Sequence, residues 1–139
     1  MPTVPTDVQA AFDRLARDVR DRLLDVRAMI FEVAEGDPRI GPVAEMLKWG
    51  EPAYLTTETG SGSTIRLGGT KGSIVRPAVL VNCRTRLVAD FRDLFGTTFQ
   101  YEGNRMIVLP DSAPGDDLKH LLWLALTYRL GGRERVRRC

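Results

Sequence analysis

From Val8 onward, apolar residues recur at three- and four-residue steps: Val8, Phe12, Leu15, Val19, Leu23, Val26, Ile30 and Val33. That spacing paints one stripe along an amphipathic helix and predicts helix from Thr6 to about Glu35. Thr6 suits the N-cap, Asp7 sits beside the positive helix end, and Gly36 and Pro38 stop the helix. Opposite the stripe, Asp13 and Arg17, then Asp18 and Arg22, stand at i,i+4, each pair contributing roughly 0.2–0.5 kcal/mol. A helix of about 28 residues would run roughly 42 Å, long for a domain of this size. The pattern therefore predicts either a break near Leu23-Leu24 or an overhang available to a second copy as a homodimer seam.

Residues 41–49 read as a short second helix with Val43, Met46 and Leu47 inward, ended by Gly50 and Pro52. After Pro52 the period drops to two. Strands are predicted over 53–57, 64–68 and 78–83, with Gly60-Ser61-Gly62-Ser63 as a flexible turn and 69–72 as a loop. A helix begins near Thr85, with Leu87, Val88, Phe91, Leu94 and Phe95 inward and Gly96 as its C-cap. Residues 98–101 and 105–109 flank Glu102-Gly103-Asn104 as a hairpin. Pro114 opens a last helix with Asp116 and Asp117 in its first turn, Leu118, Leu121, Leu122, Ala125, Leu126 and Tyr128 facing inward, and Gly131-Gly132 at its end. The predicted class is α+β, in the order α-α-β-β-β-α-β-β-α, a mainly antiparallel five-stranded sheet packed against helices.

Length and composition narrow the class further. The 139 residues suit one domain, 1–139, with residues 1–5 and 132–139 as flexible ends. An apolar fraction of 43% with 27% charged residues is a globular balance that supports its own core. No apolar run reaches membrane-spanning length, and Met1-Pro2-Thr3-Val4-Pro5 has neither a basic start nor an apolar h-region, so the expectation is a cytoplasmic protein without membrane partners. Two cysteines, Cys83 and Cys139, are too few for a disulfide scaffold, and with the single His120 they lack zinc-site spacing. Residues 129–139 hold five arginines and one glutamate, the one marked charge asymmetry, whereas residues 6–35 hold seven acids and five arginines.

The stretch Met46-Leu47-Lys48-Trp49-Gly50-Glu51-Pro52-Ala53-Tyr54 resembles the "LKWG-P-Y" signature of the YdhG-like family. Ile65-Arg66-Leu67-Gly68, then Val79-Leu80-Val81-Asn82-Cys83 followed by Leu87-Val88, then Tyr101-Glu102-Gly103-Asn104-Arg105 resemble the same family in the same order, covering about residues 40–109. The resemblance implies a compact α-β sandwich and little assigned chemistry. One branch of the family is described as a frataxin-like intracellular iron chaperone, which relies on an acidic ridge. Here the first helix alternates its acids with five arginines.

The family-like stretches supply the candidate ligand-binding set Lys48, Trp49, Tyr54, Arg66, Asn82 and Arg105. Trp49 and Tyr54 bracket the Gly50–Pro52 turn, and paired strands would bring Arg66 and Arg105 towards it. Two guanidinium forks beside an aromatic wall suit a small planar anion, carboxylate or phosphate. The competing reading packs the rings in the core and pairs the arginines with Glu51 and Glu102.

Catalytic signals are weak. Cys83 and His120 lie on unrelated elements, and Ser61 is not in a nucleophile elbow. Gly68-Gly69-Thr70-Lys71-Gly72 lacks the spacing of a phosphate loop. Asp18, Asp21 and Asp25 share a helix face that would suit a hard cation, but Arg14, Arg17 and Arg22 crowd it. The sequence therefore favours a non-enzymatic binding or carrier module for a small anion and names no cofactor. Iron handling is the second reading. Weak nucleic-acid binding through the Arg133–Arg138 tail, which lacks aromatics, is the third.

Overall fold

A computed structural model describes residues 1–112 and 115–131. The Pro114 helix start, the Gly132 stop and the arginine-rich tail lie outside the described residues. The chain runs α1 (Thr6–Asp13), α2 (Arg17–Glu35), β1 (Ala44–Lys48), β2 (Glu51–Leu55), β3 (Ile65–Gly69), β4 (Pro77–Leu80), α3 (Leu87–Phe95), β5 (Gln100–Glu102), β6 (Met106–Val108) and α4 (Gly115–Leu126), with a short 3-10 turn at Gly96–Thr98 after α3. The α+β class stands, as does antiparallel pairing throughout, but the described residues form six strands rather than five, in the spatial order β1-β2-β3-β4-β6-β5. Among the described residues no helix is long and apolar enough to cross a membrane.

The first predicted helix is two. It breaks at Arg14–Ala16 rather than near Leu23-Leu24, Ala16 adopting extended backbone (φ −58°, ψ 149°) ahead of α2. No glycine or proline marks the break. The bend lets α1 lie over β1 and β2 while α2 packs on α4 and the middle of the sheet. The predicted stripe is then consumed inside the chain's own core, with Val8, Phe12, Leu23, Val26 and Ile30 fully buried.

The predicted second helix is strand β1. Its alternation was disguised because the inward position between Ala44 and Met46 carries an acid, Glu45. Glu45 is buried with a cation: Arg27 on α2 donates from Nε (2.6 Å) and Nη2 (2.8 Å) to its two carboxylate oxygens. Both side chains are 5% exposed.

Register sets the two faces of the sheet. Tyr54, Ile65, Leu67, Val79, Ile107 and Leu109 point to the helices and belong to the single core cluster. Alternate residues Met46, Ala53, Arg66, Leu80 and Met106 form one row across the opposite face. The helical core residues join the first face, so among the described residues no helix lies over the second.

Two further corrections concern local chemistry. Gly60–Ser63 is a built joint rather than a flexible turn. Ser61 Oγ donates to the Leu126 carbonyl (2.9 Å), and the Ser63 N–H donates to the Ala125 carbonyl (2.9 Å), satisfying the C-terminal end of α4. A Cβ on Gly62 would lie 2.6 Å from the Leu126 backbone, so this approach requires glycine. Leu94, expected inward, is 55% exposed, whereas Leu87, Val88, Phe91 and Phe95 are buried.

Candidate functional site

The open face of the sheet carries a hollow of about 360 Å³. Five of the six expected residues line it: Lys48, Trp49, Arg66, Asn82 and Arg105. Leu55, Thr64, Val81 and Cys83 complete the lining. The sixth, Tyr54, does not reach it. Glu51, Ala53 and Leu55 alternate onto the open face, which turns Tyr54 into the core at 0% exposure.

Tyr54 instead completes the buried polar knot. Its hydroxyl donates to Glu45 Oε2 (2.8 Å), its ring meets Phe31 edge-on at 6.0 Å, and the Arg27 guanidinium lies 5.0 Å from the Phe31 ring centre. Burial, then the adjacent Glu45 carboxylate, push the Tyr54 hydroxyl far above the ordinary phenol range, so it stays a donor. The hydrogen bond to Glu45 raises the Arg27 guanidinium further, although burial opposes it. The knot is a tertiary lock between α2 and the first hairpin.

Each wall of the hollow has a local cause. Lys48 and Glu51 are paired across a two-residue turn in which both central residues have positive φ, Trp49 at 56° and Gly50 at 75°. That is the type I′ geometry that matches strand twist. It lifts the indole clear of the sheet, leaving Trp49 88% exposed. Arg66 stands mid-sheet between Ala53 and Leu80, and its Nη1 donates to Glu51 Oε1 at 2.7 Å. Part of the competing reading therefore holds, since one arginine is paired as that reading expected.

Arg105 sits in the β5–β6 turn. Its carbonyl accepts from the Val81 N–H (2.8 Å), and Asn104 Nδ2 donates to the Cys83 carbonyl (3.1 Å), so the turn is pinned beside Asn82. The Asn82 Oδ1 accepts from the Arg84 N–H (2.9 Å), which leaves its amide N–H₂ as the outward donor. Among the described residues neither Lys48 nor Arg105 forms an ion pair or side-chain hydrogen bond. Three cations and an amide donor thus border a hollow whose lining, among the described residues, contains no carboxylate.

Apart from Cys83, which lines the hollow, the other sequence candidates fall elsewhere. Ser61 is buried in the α4 joint, and His120 packs against Phe95 (5.5 Å) and Trp123 (6.2 Å). A Cβ on Gly68 would strike the Glu51 carboxylate, so this glycine serves sheet packing. Arg17 and Arg20 lie 3.9 and 4.0 Å from Asp21, and among the described residues no three metal-ligating side chains converge.

Leu55 and Thr64 are lining residues that the sequence reading missed. Their signal was available, because Thr64 lies two residues before Arg66 and therefore shares its face. Comparison with protein-family models, with curated proteins and with solved structures returns no match.

Proposed function

We propose that this chain is a cytoplasmic binding or carrier module whose open-face hollow takes a small planar anion. The observation that carries the reading is the convergence of Lys48 at the end of β1, Arg66 within β3 and Arg105 in the β5–β6 turn on a lining that, among the described residues, has no carboxylate. Guanidiniums hold carboxylate or phosphate oxygens two at a time, and the exposed Trp49 ring offers a face for a flat ligand to stack on. No nucleophile with an aligned base enters the proposal, so the ligand is held rather than transformed. The same proposal keeps the YdhG-like likeness, since residues 46–54, which carry the signature, make the hairpin that walls the hollow.

The test is a thermal-shift panel of benzoate, phthalate and inorganic phosphate on the full chain. Phthalate is expected to raise the melting temperature in the parent and not in Lys48→Ala/Arg105→Ala, two side chains without an ion pair or hydrogen bond among the described residues. Equal shifts in parent and variant would remove the site, and a shift with phosphate alone would remove the planar ligand.

A further inference from the structure

Cys83, a lining residue of the open-face hollow, is disulfide-bonded, and no cysteine among the described residues is free. The 139 residues contain one other cysteine, Cys139, which lies outside the described residues. Between it and Gly131, the last described residue, stand Arg133, Arg135, Arg137 and Arg138 against a single acid, Glu134. A bond from Cys83 to Cys139 would therefore fasten the arginine-rich segment to the lining of a hollow already bordered by three cations.

The place where the described chain ends makes that bond reachable. The Tyr128 hydroxyl accepts from the Arg86 N–H at 2.9 Å, three residues on from Cys83. The Arg129 N–H donates to the Ser61 carbonyl at 2.9 Å, and Thr64, three residues further, lines the hollow. The end of the described chain thus passes the flank of the site, and residues 132–139 can span up to about 26 Å.

Covalent geometry then limits where the arginines can lie. The Cα atoms of a disulfide stand within about 7 Å of each other and consecutive Cα atoms about 3.8 Å apart, which would hold Arg137 and Arg138 within about 15 Å of Cys83. Among the described residues the lining offers these guanidiniums no carboxylate, and Glu51 beside it is held by Arg66. With no acid there to close on, they would add cations to the hollow rather than plug it.

We propose that a Cys83–Cys139 disulfide is a redox control on the open-face hollow: bonded, it brings Arg137 and Arg138 to the anion, and reduced, it releases them. The inference rests on the anion reading of that hollow. In the cytoplasmic setting of that reading, such a disulfide is reversible rather than a permanent staple. Its formation uses a low-molecular-weight disulfide as oxidant. One cysteine attacks as thiolate and expels one thiolate, leaving a mixed disulfide. The other cysteine, as thiolate, attacks that and expels the second, and the two cysteine protons go to the two released thiolates.

The full chain is treated with oxidised glutathione or with dithiothreitol. After glutathione, digestion on the carboxyl side of glutamate should give Arg135–Cys139 joined to the peptide carrying Cys83, from monomeric protein. Absence of the joined peptide would overturn the proposal. In calorimetry at low salt, after removal of the glutathione, phthalate should bind the oxidised form about threefold or more tighter than the reduced form. Cys139→Ser should bind as the reduced parent does after either treatment. Arg137→Gln/Arg138→Gln should keep the joined peptide and lose the gain; a gain that survives would overturn the role of the arginines. Reciprocally, phthalate should raise the joined fraction in a glutathione buffer. Equal phthalate affinity in the two forms would overturn the redox control and leave the anion site standing, whereas phthalate binding to neither form would remove both.

Discussion

Replacing Trp49 by asparagine should leave the protein at least as stable while disabling the open-face hollow. Trp49 holds φ at 56°, a left-handed conformation that crowds Cβ against the following carbonyl and costs a side-chain-bearing residue about 1 kcal/mol or more. Asparagine tolerates that conformation and, before Gly50, makes the dipeptide that type I′ turns favour. The opposing term is small. With 88% of the residue exposed, the covered remainder of a side chain of about 250 Å² is about 30 Å², or about 0.7 kcal/mol at about 25 cal/mol/Å². Trp49→Ala separates the two terms, because it also removes the ring but keeps the strained backbone. Trp49→Asn should therefore exceed Trp49→Ala by about 1 kcal/mol and match the parent to within about 0.5 kcal/mol. Urea unfolding followed by far-ultraviolet circular dichroism reads all three, and phthalate shifts should vanish in both variants. If Trp49→Asn is less stable than the parent by more than about 1 kcal/mol, or no better than Trp49→Ala, the ring is structural and the reasoning fails.

Two further outcomes follow from buried and bridged charges. Arg27→Met strands the Glu45 carboxylate in the core and should destabilise by about 3–5 kcal/mol. Arg27→Met/Glu45→Gln, which keeps an acceptor for the Tyr54 hydroxyl, should recover about 2 kcal/mol of that loss in the same urea assay, and a double variant no better than the single would sink the account of the knot. Asp37 is held well below the usual carboxylate range, first by the side chain of Arg39 and then by Trp123 Nε1 (3.0 Å). A depressed folded value means its contribution is in place above the unfolded carboxylate pKa of about 3.9 and is lost as pH falls through the folded value. The melting-temperature gap between parent and Asp37→Asn should thus hold constant above about pH 5 and narrow steadily below about pH 4; a gap that persists unchanged to pH 2.5 would contradict it.

What the sequence revealed and concealed divides along the range of the interactions. The stripe Val19, Leu23, Val26 and Ile30 was legible because one helix face meets one core. The Gly103 hairpin and the Gly96 stop were legible because each needs a positive φ, 60° and 54°. The break at Ala16 was not, since no residue there forbids helix and only the docking of α1 on the first hairpin requires the bend. Strand β1 was hidden by Glu45, whose inward place makes sense only with Arg27, a partner from another element. Ser61 read as linker because its partner, the Leu126 carbonyl, is remote in sequence. At the site, five of six residues converged because antiparallel register carries Arg66 opposite Ala53 and Leu80. Tyr54 was misplaced by a single position of the pleat, the smallest register error that reverses a face.

The ion pair between Arg66 and Glu51 bears on which anion the proposed site would prefer. Glu51 lies flat across β3 because Gly68 has no side chain to displace it, and from there it holds Arg66 through Nη1 alone. The guanidinium is therefore oriented rather than satisfied, since a planar fork retains further N–H donors after one bond is made. Glu51 cancels one of the three positive charges in the neighbourhood but stands outside the lining, so an incoming anion meets the cations first. Lys48 and Arg105 are exposed cations whose effect salt screens within about 8–10 Å, while the Arg66 side chain, at 19% exposure, is screened less. Under the proposed function, the two outer cations would draw the ligand in and Arg66 would fix its orientation. A ligand with two acceptor groups at its periphery and a flat body between them uses all three, which is why a planar dicarboxylate is the probe of choice over a compact phosphate.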